Sequence, residues 1–363
     1  MKKLSFHFEE KVCVMTVSAN VITLSFLGQK FTAKYNFLDS ESSLADVDDD
    51  LFTLMIYVLF YGLEEVTLPK PRRIIQDFGP PIISYSGGSD STALLYATGG
   101  QPVHITRSFD KEYDNRQIKA VLSVGAPQVH TDFELIRTLY GKTKGFNVGM
   151  GYACMFIPLL PLFLTNTIAL GWVFDDIGFE YGKVFKHNVT PGEGLLKSRS
   201  AKIISALGIY GINITGPLAG YSEVLTTRIA ASSGISLYSS CHTVGNDSAC
   251  RKCYKCFRKQ AILRDPLNWS DLSVRNYIMR FLQKAPLKMA CSTIYAIQYA
   301  GYSFPEFKRY VDIDVSFCER VNPVLFDDLN GVLLPGIELQ TMEDFRAIEK
   351  FVERINDPKL YEF

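Results

Sequence analysis

A chain of 363 residues is long enough to bury a full core without disulfide staples, as two domains or as one large domain with an appendage. Its 38 basic and 38 acidic residues cancel, which disfavours nucleic acid as a partner, because a surface that tracks a phosphate backbone carries a basic excess. The opening residues reach Glu9 and Glu10 before any apolar run of signal-peptide length, so no secretion signal is read and a cytoplasmic location is expected.

Residues 12–17, 21–27 and 31–37 alternate apolar and polar side chains, the pattern of strands with one buried face, and turn signals such as Ser18-Ala19-Asn20 and Gly28-Gln29 separate them. They predict a small antiparallel β module. An acidic loop at 46–50 leads into an apolar helix over 51–61, for which Asp49 or Asp50 is the expected cap. Lys70-Pro71-Arg72-Arg73 and Phe78-Gly79-Pro80-Pro81 read as a linker, so the N-terminal module is assigned to residues 1–78.

From Ile82 onward strand-like and helical runs alternate: strand 82–85, helix 90–98, strand 103–106, helix 115–122, a strand at Val129-His130 and a helix over 133–139. Such alternation predicts an α/β fold built on a doubly wound parallel sheet. Residues 155–174 carry no charge and approach membrane-spanning length, but Pro158, Pro161 and Thr165-Asn166-Thr167 divide them. They are read as a short apolar helix followed by a buried strand over 168–174, and no membrane partner is expected. A helix over 220–232 and a strand over 235–238 follow, and residues 265–363 read as a mostly helical extension, as in 273–284 and 341–355.

The most informative segment is Ser84-Tyr85-Ser86-Gly87-Gly88-Ser89-Asp90-Ser91-Thr92, which follows a β run and opens a helix. Gly87 and Gly88 let main-chain N–H groups approach an anion, Ser86, Ser91 and Thr92 add hydroxyls, and the helix start adds its positive dipole end. Asp90 suits either a helix cap or a magnesium ligand beside phosphates. The Walker pattern is absent, since no Gly-Lys pair precedes Ser91 or Thr92.

Eight cysteines are present, and Cys13, Cys154, Cys291 and Cys318 sit singly among apolar neighbours as small buried hydrophobes. Cys241, Cys250, Cys253 and Cys256 cluster, and the two-residue gaps let successive thiolates converge on one ion. Zinc in a closed, structural shell is the expectation, with an iron–sulfur cluster as the alternative. Arg251, Lys252, Lys255, Arg258 and Lys259 either offset that negative charge or face a phosphate-bearing substrate.

The run Ser86-Gly87-Gly88-Ser89-Asp90-Ser91 resembles the Ser-Gly-Gly-x-Asp-Ser signature of the PP-loop ATP pyrophosphatases. With the cysteine cluster, Arg258, and the stretch from Gly216-Pro217-Leu218 to Glu223 before Ser239-Ser240-Cys241-His242, residues 82–262 resemble the 7-cyano-7-deazaguanine synthase branch. The layout is also similar to the ATP-dependent muropeptide L-glutamate epimerases, with a β-rich N-terminal part and a middle region comparable to 169–174, Glu180 and Tyr181-Gly182. The resemblance implies an adenine nucleotide alpha-hydrolase-like domain at 79–264 and an enzyme using ATP, Mg²⁺ and Zn²⁺. It would adenylate a small-molecule or peptide carboxylate, with Asp90 and Ser91 as the catalytic pair. Epimerisation of a terminal glutamate in a peptidoglycan precursor and tRNA modification are the alternative outcomes.

Ligands of open parallel sheets sit beyond strand C-terminal ends, which nominates Arg107, Asp110, Asp175, Asp176 and Glu180 as substrate contacts. Lys197 and Lys202 lie in a Gly- and Ser-containing segment that could close over phosphates or form a plain surface loop. A homodimer or a partner protein is left open by the sequence.

Overall fold

The computed structural model describes residues 1–38, 42–73, 75, 79–109, 118–147, 150–177, 199–234, 250–285, 287–299 and 304–361. An N-terminal meander comprises β1 (Lys2–Phe8), β2 (Lys11–Val17), β3 (Val21–Phe26) and β4 (Gln29–Tyr35). Leu4, Phe6 and Phe8 alternate with Lys3, Ser5 and His7, so β1 carried the same period-two signal as its neighbours, although the sequence reading began at Val12. Helix α1 (Asp49–Phe60) is capped by Asp48, not by Asp49 or Asp50: the Asp48 carboxylate accepts from the Asp50 N–H at 2.9 Å.

The remaining strands are β5 (Ile82–Ser84), β6 (Gln101–Arg107), β7 (Gln128–Thr131), β8 (Thr167–Ala169) and β9 (Asn213–Thr215). Among the described residues nine strands join one sheet in the order β1-β2-β3-β4-β7-β6-β5-β8-β9, and the expected strand over 235–238 lies outside the described residues. This corrects the expected fold: the sheet is mixed, not a doubly wound parallel sheet beside a small β module, although the chain is α/β overall. The pairs β7-β6, β6-β5, β5-β8 and β8-β9 are parallel, whereas β1 to β4 pair antiparallel and β4 pairs antiparallel with β7. The physical cause lies at the β7 edge. An uncovered edge leaves N–H and C=O groups unpaired, and β4 takes them up in the register Ala33 to Thr131 and Tyr35 to Val129. Asp132 fastens the join by accepting from the Thr32 N–H at 2.6 Å.

Helix α2 (Ser89–Thr98) follows β5, and α3 (Ile118–Ser123) precedes β7. Residues Phe133–Tyr140 form successive 3₁₀ turns, not the expected α-helix. The uncharged stretch is mostly buried, although Leu164 is exposed, and it divides into 3₁₀ turns at Gly151–Met155 and Ile157–Leu159 and the short strand β8. Among the described residues no helix is long and apolar enough to cross a membrane. Helix α4 (Phe174–Ile177) replaces the expected strand end, and helix α5 (Arg199–Gly208) contains Lys202.

The rest is helical: α6 (Glu223–Ser232), α7 (Tyr254–Ile262), α8 (Leu272–Leu282), α9 (Ala290–Tyr299), α10 (Pro323–Asp328) and α11 (Met342–Ile355). One apolar core joins the meander, α1 and residues around β8 and β9. A second joins α7, α8, α9 and the C-terminal helices with Phe174 and Val224. A third packs α2 against α6 through Leu94, Leu225 and Ile229.

Candidate functional site

The strand order turns at β5, since β6 and β7 lie to one side of it and β8 and β9 to the other. A crevice beyond the C-terminal end of such a strand is where open α/β sheets take ligands. The glycine loop leaves β5 at this point. Gly87 has φ +73°, a left-handed conformation that costs a side chain but not glycine, and it turns the chain sharply into α2. Gly88 is the N-cap and brings no side chain, so the positive helix end faces the loop hydroxyls. The Ser91 hydroxyl donates to the Gly88 carbonyl at 3.1 Å, accepts from the Ser86 N–H at 3.2 Å, and lies 3.1 Å from the Ser86 hydroxyl. Thr92 is buried, with its hydroxyl 3.3 Å from that of Tyr85. From the opposite side, Gly171 brings the end of β8 so near that a Cβ there would stand 3.3 Å from the Ser91 nitrogen.

Asp90 is not the cap of α2. Its carboxylate accepts from the Thr226 hydroxyl at 2.7 Å and from the Ser89 hydroxyl at 3.2 Å, and lies 3.7 Å from the Lys259 ammonium. Lys259 also donates to the Ser89 hydroxyl and sits 3.3 Å from Glu223. This lysine belongs to α7, which starts in the cysteine cluster, so one helix joins the two sequence motifs.

Behind the loop lies a buried charged network. Glu223, the first residue of α6, pairs with Arg258 and accepts from the Ser292 hydroxyl at 2.9 Å. Burial by itself would raise its carboxyl pKa, but Arg258 and Lys259 outweigh that and hold it at about 2. Asp175 is 1 % exposed and accepts from two helix-start N–H groups, Glu223 at 2.7 Å and Ser292 at 3.1 Å. Burial, followed by the Glu223 charge, nevertheless pushes its pKa up to about 6.

Cys250, Cys253 and Cys256 place their sulfurs within 4.8 Å of one another. The Cys250–Cys256 and Cys253–Cys256 sulfurs are 3.7 Å and 3.5 Å apart. A tetrahedral zinc with Zn–S bonds near 2.3 Å needs sulfurs about 3.8 Å apart, so the three thiols fit one such ion. Main-chain N–H groups of Lys252 and Cys253 point at the Cys250 sulfur at 3.4 Å and 3.3 Å, the kind of donor that steadies a thiolate. Cys253 also caps α7. The basic residues divide: Arg251 turns outward to Asp265 at 2.5 Å and Lys252 is exposed, while Arg258 and Lys259 are buried towards Glu223.

Of the substrate candidates, Arg107 ends β6 and lies 3.2 Å from Glu134. Asp175 is not a solvated loop charge but a buried acceptor for two helix starts. Asp176 lies in α4, and its side chain is outside the description, as are Asp110, Glu180, Lys197 and Cys241. Lys202 occupies the exposed face of α5. Sequence reasoning missed Thr226, Ser292 and the pairing of Glu223 with Arg258. Helical spacing of Lys255 and Lys259 just after a cysteine cap was the available signal.

The model of a family of unknown function, DUF6395, matches residues 202–309. That match covers less than half of the chain; it includes Glu223, the clustered Cys250, Cys253 and Cys256, Lys259 and Ser292, and leaves the glycine loop outside. No curated protein matches the chain.

Proposed function

We propose that the chain is an AMP-forming ATP pyrophosphatase that adenylates a carboxylate. ATP lies over residues 86–92, and a carboxylate oxygen attacks the α phosphorus. The new O–P bond forms as the bond from the α phosphorus to the bridging oxygen breaks, and the electron pair leaves with pyrophosphate. Little covalent chemistry falls to the protein, whose task is positioning and charge neutralisation.

The observation that carries this reading is the seat of Ser86-Gly87-Gly88-Ser89-Asp90-Ser91: between β5 and α2, where the strand order turns, with the Lys259 ammonium on its rim. In the reading, backbone amides of the loop and the hydroxyls of Ser86 and Ser91 orient phosphate oxygens. Asp90 would be the residue to hold magnesium, which would supply neutralisation of the phosphate charge. Arg107, at the end of β6, faces the acid substrate, a small molecule or a peptide. Cys250, Cys253 and Cys256 would hold a structural zinc that would fix the start of α7, and such thiols suit a reducing, cytoplasmic setting.

Exchange of labelled pyrophosphate into ATP tests the reading, with deazaguanine carboxylate and glutamate-ending peptides as the first acids. Acid-dependent exchange together with AMP formation is the expected result. Cleavage to ADP and phosphate alone would overturn it.

A further inference from the structure

Helix α7 carries its cations on two faces. Lys255 and Lys259 stand one turn apart, which places them on the same side of a helix. Lys259 is 5 % exposed at its side chain and reaches Ser89, Asp90 and Glu223. Lys255 is half-buried beside it, feels the charges of Glu223 and Asp90, and makes no hydrogen bond or ion pair with a described residue. Arg258 points elsewhere, into the Glu223 and Ser292 pair and over the Tyr254 ring.

The two lysines thus share the face on which Asp90 and Glu223 supply carboxylates. Glu223 is already shared between Arg258 and Lys259. Keeping a second ammonium one helical turn from the first, on the same face, costs desolvation and mutual repulsion. An arrangement that unfavourable is compensated when a multiply charged anion sits between the two lysines and the helix start of α2.

We infer that Lys255 and Lys259 are the cations that bind the β and γ phosphates, the part of ATP that leaves as pyrophosphate, and that the cysteine-capped start of α7 holds both lysines over residues 86–92. The inference rests on the ATP reading above and assigns the leaving-group side of that site. Arg258 is a positioning residue, held away from the nucleotide by Glu223.

The test compares Lys255→Met and Lys259→Met with the unaltered protein by calorimetry, using Mg-ATP, inorganic pyrophosphate and AMP as probes. Zinc content and melting temperature are recorded for each protein. The expected result is a loss of roughly tenfold or more in affinity for ATP and pyrophosphate in each variant, with AMP affinity within about twofold and zinc content unchanged. Lys259→Arg should recover part of the loss. Equal weakening of ATP and AMP, unchanged pyrophosphate affinity, or a loss that follows zinc content would overturn the assignment. Failure of the unaltered protein to bind ATP would instead remove the ATP reading on which it rests.

Discussion

The ammonium of Lys259 stands 3.7 Å from the carboxylate of Asp90, bringing the helix that begins in the cysteine cluster onto the helix that begins in the glycine loop. Asp90 is also tied to Thr226 on α6 at 2.7 Å, so three helices meet at one side chain. The common support of that junction is Glu223, and it is the part whose removal is expected to have the largest structural effect.

Glu223→Gln leaves Arg258 and Lys259 buried against a neutral amide. Breaking one member of a buried charged set costs on the order of 3 kcal/mol, and a combined Glu223→Met, Arg258→Met replacement should recover part of it. Urea unfolding of the single and double variants checks this; equal or additive losses would contradict it.

Asp175 and Glu223 give stability opposite slopes with pH. Asp175 holds its proton more tightly folded than unfolded, so its contribution falls as pH rises from 3.8 to about 6. Glu223 is depressed, so its contribution is present above 4.5 and is lost as pH falls towards about 2. Asp175→Asn should flatten the slope between pH 4 and 6, and Glu223→Gln the loss below pH 4.5. Unfolding measured across this range in both variants decides, and slopes identical to the unaltered protein would refute the assignment.

Gly171 is expected to admit no side chain without cost. An alanine Cβ at 3.3 Å from the Ser91 nitrogen must push the first turn of α2. A stability loss of about 1 kcal/mol is expected, with a larger proportional loss of nucleotide affinity because the displaced backbone is the loop itself. Thermal unfolding and ATP titration of Gly171→Ala check this, and unchanged affinity would count against the loop as the site.

Cys253 contributes a sulfur to the cluster and the cap to α7. Serine can still cap a helix, so Cys253→Ser separates the two roles. Zinc content and melting temperature should fall together. An unchanged metal ratio would show that Cys253 is not a ligand.

Much of this was legible in the residues. Alternation exposed β2, β3 and β4, and the glycine-serine run was found between a strand and a helix as its chemistry required. Alternation tells which face of a strand is buried, not which edge it joins, so the pairing of Ala33 with Thr131 that makes the sheet mixed was not readable. Asp175 and Glu223 resemble ordinary loop and helix charges in a single sequence, because partners such as Ser292 and Arg258 are distant in the chain. The 3₁₀ turns at Phe133–Tyr140 keep an amphipathic pattern, which is why they read as an α-helix.

Binding of the phosphates of ATP by residues 86–92 is open to titration of pure protein with a non-hydrolysable ATP analogue and magnesium. One saturable site in the unaltered protein, lost in Gly88→Val while the melting temperature holds, is the result the account requires. No measurable uptake by the unaltered protein, or full uptake by Gly88→Val, would contradict it.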